Sequence, residues 1–482
     1  MNFENILNGV RCKKVIGEVD VEVQQLQFDS RKLEAGDVFI AQKGTQTDGH
    51  DYIPMAVARK VKAIVCEDLP ADIASGVVYV QVENAARALG LMACNYYDHP
   101  SKDLKLVAVT GTNGKTTTVT LLFDLFRRLG YRTGLLSTVV NKIDEQEIQS
   151  THTTGDALQI NQLLRNMADQ GVRYCFMEAS SHAIHQHRIA GLDFDGAVFT
   201  NISHDHLDYH HTFKEYIFAK KMLFDQLPKH AFALVNADDK RGLVMLQNCA
   251  ATHYTYALKG LSDFPAKIVN NAFEGLEMEI EGTPVFFRLV GEFNGYNLMV
   301  AYGVAKLLGV ETQEILLELS MLQGAKGRFQ LIPNPLNKVA IVDYAHTPDA
   351  LENVLKTIQA VRQDNQQIIA VVGCGGDRDK TKRPEMAAIA AKYSDKVVMT
   401  SDNPRTEDPA QILKDMEAGL TITMRPKALQ ILDRKEAIRT ANMLAGPKDI
   451  LLVAGKGHED YQEINGVKHH FDDGEILQEI LV

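Results

Sequence analysis

The sequence predicts an α/β protein of three domains. These are a small α/β block at the N terminus (1–100), a central phosphate-loop domain on a mainly parallel sheet (101–332), and a Rossmann-like α/β block at the C terminus (333–482). Three observations predict this. A chain of 482 residues is too long for one hydrophobic core. The run Val107-Ala-Val-Thr110 leads into Gly111-Thr-Asn-Gly-Lys-Thr-Thr-Thr118, which reads strand, glycine turn, helix. The last third holds strand-like runs at Val339–Val342, Ile368–Val372, Lys396–Thr400 and Ile450–Ala454, separated by helical patterns, as in an open α/β sheet.

The first block has short β-like runs at Val21-Glu-Val, Gln25-Leu-Gln-Phe, Asp37-Val-Phe-Ile-Ala, Ala63-Ile-Val-Cys and Val77 to Val82, with glycine turns between them. A helix near Ala85–Tyr97 and the breaker Asp98-His-Pro-Ser101 close it. The second block opens with a strand at Leu104–Thr110. A helix follows from Lys115 to about Leu129, with apolar residues at Val119, Leu122, Leu125, Phe126 and Leu129 and a stop at Gly130. Further strands are expected at Tyr174–Glu178, Gly196–Thr200 and Ala231–Val235, and a linker near 327–335. In the third block, polar motifs follow each strand-like run: Asp343-Tyr-Ala-His346, Gly373-Cys-Gly-Gly-Asp377, Ser401-Asp-Asn-Pro-Arg405 and Gly455-Lys-Gly-His-Glu459. Ligands of open parallel sheets bind beyond the carboxyl ends of the strands, so these loops point to one site.

A net charge of −11 argues against a nucleic-acid binder, which needs a basic field. An anionic substrate stays compatible, because local clusters can oppose the global sign. The six cysteines are scattered without a C-x-x-C pair, which favours reduced thiols in a cytoplasmic protein. The first residues lack a basic region followed by an apolar run, so no signal peptide is expected. No apolar stretch approaches the 18 or so residues that span a bilayer, so no membrane is expected as a partner.

The glycine turn is the strongest chemical signal. Backbone N–H groups of Gly111, Thr112, Asn113 and Gly114 and the following helix N-terminus form an anion cradle. Lys115 supplies a point charge to β- and γ-phosphates and Thr116 a hydroxyl to Mg2+. Glu178 ends an apolar run, where it is either a metal ligand beside that loop or part of a surface turn. Asn201 to His210 is dense in ligands, with His206 between Asp205 and Asp208. Its hard-oxygen company favours Mg2+ over zinc, and a His-rich loop is the bland alternative. Lys220 falls on the helical stripe 213, 217, 220, 224 and 227, whose other members are apolar, while Lys221 points about 100° away. A lysine there is neutralised, paired or modified, for example as a carbamate, or else it snorkels to solvent. Around Arg383 the sequence suggests a basic anion or carboxylate site, or a solvated loop. Asp402-Asn-Pro-Arg405 is a turn by composition, and its arginine suits a bidentate carboxylate.

Taken in order, these motifs resemble the Mur ligase family, the ATP-dependent amide-forming enzymes of peptidoglycan synthesis, over essentially the whole chain. Gly291-Glu-Phe-Asn-Gly-Tyr-Asn297, Gly327-Arg328 and Asp343-Tyr-Ala-His-Thr-Pro348 belong to the match. Asp29-Ser-Arg31 and Gln186-His-Arg188 resemble the members that add the third amino acid to UDP-N-acetylmuramoyl-L-alanyl-D-glutamate, and Asp402-Asn-Pro-Arg405 resembles those using meso-diaminopimelate. The resemblance implies that Ser30, Thr153, Thr154, Ser180, Gln186 and Arg188 hold the UDP-sugar peptide. It assigns ATP to Gly111 through Thr117, with Asn294, Arg328, Asp343 and His346. Thr116, Glu178, His206 and a carbamylated Lys220 would coordinate Mg2+, with Lys115, Lys220 and His206 as the catalytic set. Arg383, Asp402, Asn403, Pro404, Arg405, Gly455 and Glu459 would bind the amino acid. His152 and Gly155 around the two threonines, and Lys326 and Phe329 around Gly327-Arg328, depart from the family pattern.

The reaction so implied energises a carboxylate as an acyl phosphate and captures it with an amine, under a closing third domain that excludes water. A cytoplasmic monomer is expected. The same ligase using L-lysine, a folylpolyglutamate-synthetase-like ligase, and a slow nucleotide-gated switch are the competing readings. The first-block and Asn-Pro-Arg motifs argue against the second, and the amino-acid-site motifs against the third.

Overall fold

A computed structural model describes residues 1–44, 47–149, 153–203 and 205–482. His152 of the threonine motif lies outside them. The chain packs as two compact units, Met1–Tyr256 and Ala257–Val482.

The N-terminal sheet has five strands in the order Cys12–Ile16, Val78–Val82, Ala63–Cys66, Val38–Ile40, Leu26–Gln27. All pairs but the first are parallel. Val38–Ile40 and Ala63–Cys66 are buried throughout, which is why they read as unbroken apolar runs. Cys12–Ile16 was not expected. It is an exposed antiparallel edge whose sequence, Cys-Lys-Lys-Val-Ile, has no core-facing alternation to betray it. Val21-Glu-Val, expected as β, forms no strand.

The central sheet of the first unit follows the order Thr252–Ala257, Phe232–Asn236, Gly196–Phe199, Lys105–Thr110, Tyr174–Glu178, Thr133–Leu136, all parallel. The strands Val140–Ile143 and Gln146–Gln149 extend it antiparallel. Lys105–Thr110 sits mid-sheet, and the buried helix Lys115–Arg128 leaves from its carboxyl end.

The second unit begins with an antiparallel meander, Phe264–Ala272, Gly275–Ile280 and Thr283–Phe287. It then builds a six-stranded sheet in the order Gln330–Ile332, Val339–Asp343, Ile450–Ala454, Ile368–Cys374, Lys396–Ser401, Ala428–Ile431. Only the first pairing is antiparallel. Part of the expected linker is therefore ordered as the edge strand Gln330–Ile332. A hairpin, Tyr461–Ile464 with Val467–His470, follows the strand Ile450–Ala454. The α/β class and mainly parallel central sheet are those read from the sequence.

Candidate active site

The phosphate turn is held by sterics and by its neighbour strand. A Cβ at Gly111 would lie 1.9 Å from Thr200 Oγ1, so only glycine passes there. Gly114 adopts φ +88°, and the helix it precedes has no side-chain cap. The amides and dipole of that helix end face the turn, an arrangement that favours phosphate. The end of the strand Gly196–Phe199 pins the loop. The Thr112 N–H donates to Asn201 O at 2.8 Å, the Asn113 N–H to Asn201 Oδ1 at 3.0 Å, and Thr200 Oγ1 to Asn113 O at 2.7 Å. Thr117 is buried in the helix's first turn.

Lys115 Nζ folds back onto Gly111 O and Thr112 O, both at 2.9 Å. Lys220 Nζ donates to the same Gly111 O at 2.8 Å and lies 4.6 Å from the Tyr216 ring centre. Lys220 is 1% exposed. Burial, followed by the charge of Lys115, holds its amine well below the usual lysine range, while Asp205 opposes the shift. The buried face of the helix Phe213–Asp225 is Tyr216, Ala219, Lys220, Leu223 and Phe224, so the expected stripe through 213 and 217 is rotated. The tether between Tyr216 Oη and Thr112 Oγ1, 3.1 Å, turns that side of the helix toward the loop. Lys221 lies on another side, bonded to Asp225 and the Gln247 carbonyl.

Glu178, 1% exposed, accepts from Thr116 Oγ1 at 2.9 Å, the Thr138 N–H at 2.8 Å and Thr138 Oγ1 at 3.2 Å. His206 takes φ +53° and stacks edge-on with His182, ring centres 4.9 Å apart, with Nε2 3.5 Å from Asp205 Oδ2. Among the described residues no three His, Cys, Asp or Glu side chains gather as a cation cage. Thr116, Glu178 and His206 are side chains here that could hold a hard cation such as Mg2+.

Beside Glu178 the structure brings together Thr154, Ser180, Gln186 and Arg188. Thr154 Oγ1 donates to Glu178 O at 2.8 Å and accepts the Ser180 N–H at 3.1 Å. Arg188 donates to Gln186 Oε1 through Nε (3.0 Å) and Nη2 (2.6 Å), and through Nη1 to Thr154 O (3.0 Å). Burial lowers its pKa. Thr153 and Thr154 line a cavity with Asn141, Gln159 and Glu178. Ser30 opens a separate turn, Ser30–Lys32, where Asp29 Oδ1 and Oδ2 grip the Arg31 guanidinium, each at 2.9 Å.

In the second unit, Asn294 is buried in the first turn of the helix Glu292–Leu307, its amide donating to Val290 O at 2.9 Å. Arg328 lies 4.6 Å over the Tyr344 ring. A Cβ at Gly327 would come within 2.1 Å of the His458 nitrogen, which fixes glycine before that arginine. Asp343 accepts the Phe329 N–H at 2.6 Å and the Ala345 N–H at 2.8 Å, and burial raises its pKa to about 6 against the pull of Arg328. His346 is exposed, its Nδ1 2.9 Å from Tyr344 O.

Three adjacent strands, Lys396–Ser401, Ile368–Cys374 and Ile450–Ala454, place their carboxyl-end loops together. Asn403 donates to Glu459 Oε2 at 2.8 Å. A Cβ at Gly455 would lie 2.7 Å from Asp402 Oδ2, and one at Gly376 1.9 Å from the Pro404 carbonyl. Arg405, at φ +51°, reaches Gly376 O at 2.8 Å and Glu463 at 3.4 Å. Arg383, expected to bind the amino acid, is held by protein groups in this structure. It is fully buried, and both terminal nitrogens are committed to Glu407 (3.0 and 2.9 Å), Asp415 (2.8 Å) and Gly375 O (3.2 Å).

Sequence reasoning missed Thr138, which holds Glu178. It also missed the buried Arg434–Asp473 pair, whose guanidinium ties Ser401 O and Ala454 O at the ends of the strands Lys396–Ser401 and Ile450–Ala454. Thr138 meets Glu178 because their strands are neighbours, and Arg434 meets Asp473 where the helices Arg434–Leu444 and Asp473–Ile480 begin. Only the helical stripe that Arg434 shares with Ala437, Ile438 and Ala441 hinted at burial.

Models of the Mur ligase family match three stretches: the catalytic domain at 22–97, the middle domain at 109–305, and the glutamate ligase domain at 327–457. The chain belongs to the Mur ligase family, and it is a ligase. It is 54% identical over its full length to a UDP-N-acetylmuramoyl-L-alanyl-D-glutamate–2,6-diaminopimelate ligase of Cytophaga hutchinsonii, covering 99% of that protein. It is 52% identical over its full length to the protein of the same name in Phocaeicola vulgatus, again covering 99%. A solved structure bearing that name aligns with 100% of this chain and 98% of its own at TM-score 0.71 and 34% identity. No helix among the described residues is long and apolar enough to cross a membrane.

Proposed function

We propose that this chain joins meso-diaminopimelate to UDP-N-acetylmuramoyl-L-alanyl-D-glutamate at the expense of ATP, in peptidoglycan precursor synthesis. One pairing of features carries the reading. A braced phosphate loop with a buried lysine and carboxylate beside it coexists with a loop cluster that combines carboxylates, an amide and an arginine.

The D-glutamate side-chain carboxylate attacks the γ-phosphorus of ATP, and ADP leaves. An amine of diaminopimelate then attacks the acyl carbon, phosphate departs with the C–O electron pair, and the amine's proton goes to a base. Lys115, held over the turn, is within reach of the phosphates. Thr116, Glu178, His206 and a carbamylated Lys220 would hold Mg2+, which when bound spreads the charge developing on the transferred phosphoryl group. Burial supports the carbamate, because only a neutral amine adds CO2. Asp402 and Glu459 hold the amino acid's ammonium group and Arg405 its distal carboxylate. L-Lysine lacks that carboxylate and would leave the guanidinium without its ligand partner. Thr153, Thr154, Ser180, Gln186 and Arg188, with Ser30, hold the UDP-sugar peptide, and Asn294, Arg328, Asp343 and His346 the nucleotide. The site lies in the cytoplasm, and the enzyme works as a monomer.

The test is phosphate release from ATP with the UDP-muramyl dipeptide and a panel of amino acids. Release with meso-diaminopimelate well above that with L-lysine is expected. Equal release, or release without any acceptor, overturns the reading.

A further inference from the structure

We propose that Lys456 is a positioning residue that sets the acceptor amino-acid site through Asn403 and Glu459. The inference rests on reading that cluster as the diaminopimelate site.

Lys456 leaves the carboxyl end of the strand Ile450–Ala454 and is 0% exposed. The flanking glycines let it drop inward. Gly455 takes φ +121° and Gly457 φ +53°, and a Cβ at Gly457 would lie 2.6 Å from Tyr344 Cβ. Lys456 Nζ lies 3.2 Å from Asn403 Oδ1, 3.2 Å from Glu459 Oε2, and 5.4 Å from the Tyr461 ring centre. Asn403 Oδ1 also accepts the Glu463 N–H at 2.9 Å. With two donors converging on Oδ1, the amide has one allowed orientation, and its Nδ2 must donate to Glu459 Oε2, at 2.8 Å. Oε2 is thus held from two sides. Fixing Oε2 fixes the carboxylate plane, and its other oxygen would accept the incoming ammonium.

The cation also offsets one carboxylate in a pocket that must take a zwitterion. Taking an ammonium out of water is costly, and the pairing with Glu459 and Asn403 offsets that cost. Lys456 therefore fixes the orientation of both partners.

The experiment uses the full chain carrying Lys456→Met, with phosphate release measured as each substrate is varied. The KM for diaminopimelate is expected to rise on the order of 10- to 100-fold, the loss of one charged hydrogen-bonding partner. The KM for ATP and for the UDP-muramyl dipeptide should stay within about twofold. In a Glu459→Gln background the same change should cost less than about threefold more, because both act through one carboxylate. A rise under tenfold, an equal rise for all three substrates, or a further loss of threefold or more in that background overturns the proposal. Should Lys456→Met fail to fold, Lys456→Gln, neutral and too short to span both partners, is judged by the same criteria. Absence of diaminopimelate-dependent release by the unmutated chain overturns the functional reading itself, and Lys456 then has no acceptor to position.

Discussion

Replacing Arg383 by Met tests whether this arginine is a brace or a ligand contact. The guanidinium is fully buried, and it closes a bidentate pair with Glu407 and a further bond to Asp415. Breaking a buried pair costs about 3–5 kcal/mol when the orphaned charges stay dry. Here they do not. The Glu407 and Asp415 side chains are 16% and 27% exposed, and Lys380 Nζ stays 3.1 Å from Glu407. The lower end, about 3 kcal/mol, is therefore expected. For a unit of this size that corresponds to a fall of about 6–12 °C in Tm. Glu407 responds in its titration as well. The Arg383 bond is the largest influence holding its carboxyl down at about 2, so its pKa should climb toward the ordinary glutamate range in the variant. Thermal unfolding followed by circular dichroism measures the first effect, and NMR titration of labelled glutamate the second. A variant that melts within a degree of the parent, yet loses diaminopimelate binding, would refute the bracing argument and restore Arg383 to the ligand.

Lys220→Met should abolish turnover while leaving the melting temperature equal or higher, because it removes a buried amine next to Lys115; retained turnover would end the case for its carbamate. Arg405→Ala should lose diaminopimelate turnover by about 2–5 kcal/mol in kcat/KM while ATP binding, measured by calorimetry, persists. Asp343→Asn should flatten the pH dependence of stability. The folded carboxyl, at about 6, binds its proton more tightly than the unfolded one, so the parent loses stability as pH rises from about 4 to about 6. Denaturant midpoints across that window should converge at low pH and separate above 6, with the variant the more stable; parallel curves would count against this.

The phosphate turn was readable in one dimension because its causes are local. A strand, a glycine where no Cβ fits and a helix start lie within a dozen residues, and each restricts its own backbone. The buried state of Lys220 was readable for a similar reason, since a 3.6-residue period reports which side of a helix is covered. The same period could not fix the rotation of that face. A single hydrogen bond from Tyr216 to a loop over a hundred residues away did so. Arg383 and Arg405 make the limit plain. Both follow strand ends in polar stretches of sequence, Arg383 in the first turn of the helix Lys382–Tyr393 and Arg405 in a loop. Packing of the helix Pro409–Glu417 and the 401–407 loop brings Glu407 and Asp415 onto Arg383 and leaves Arg405 at the rim. Sequence alone determined the elements and the chemistry available to them. Which charges meet was decided by contacts between residues far apart in the chain, because electrostatic pairing depends on distance in space and is invisible to local spacing.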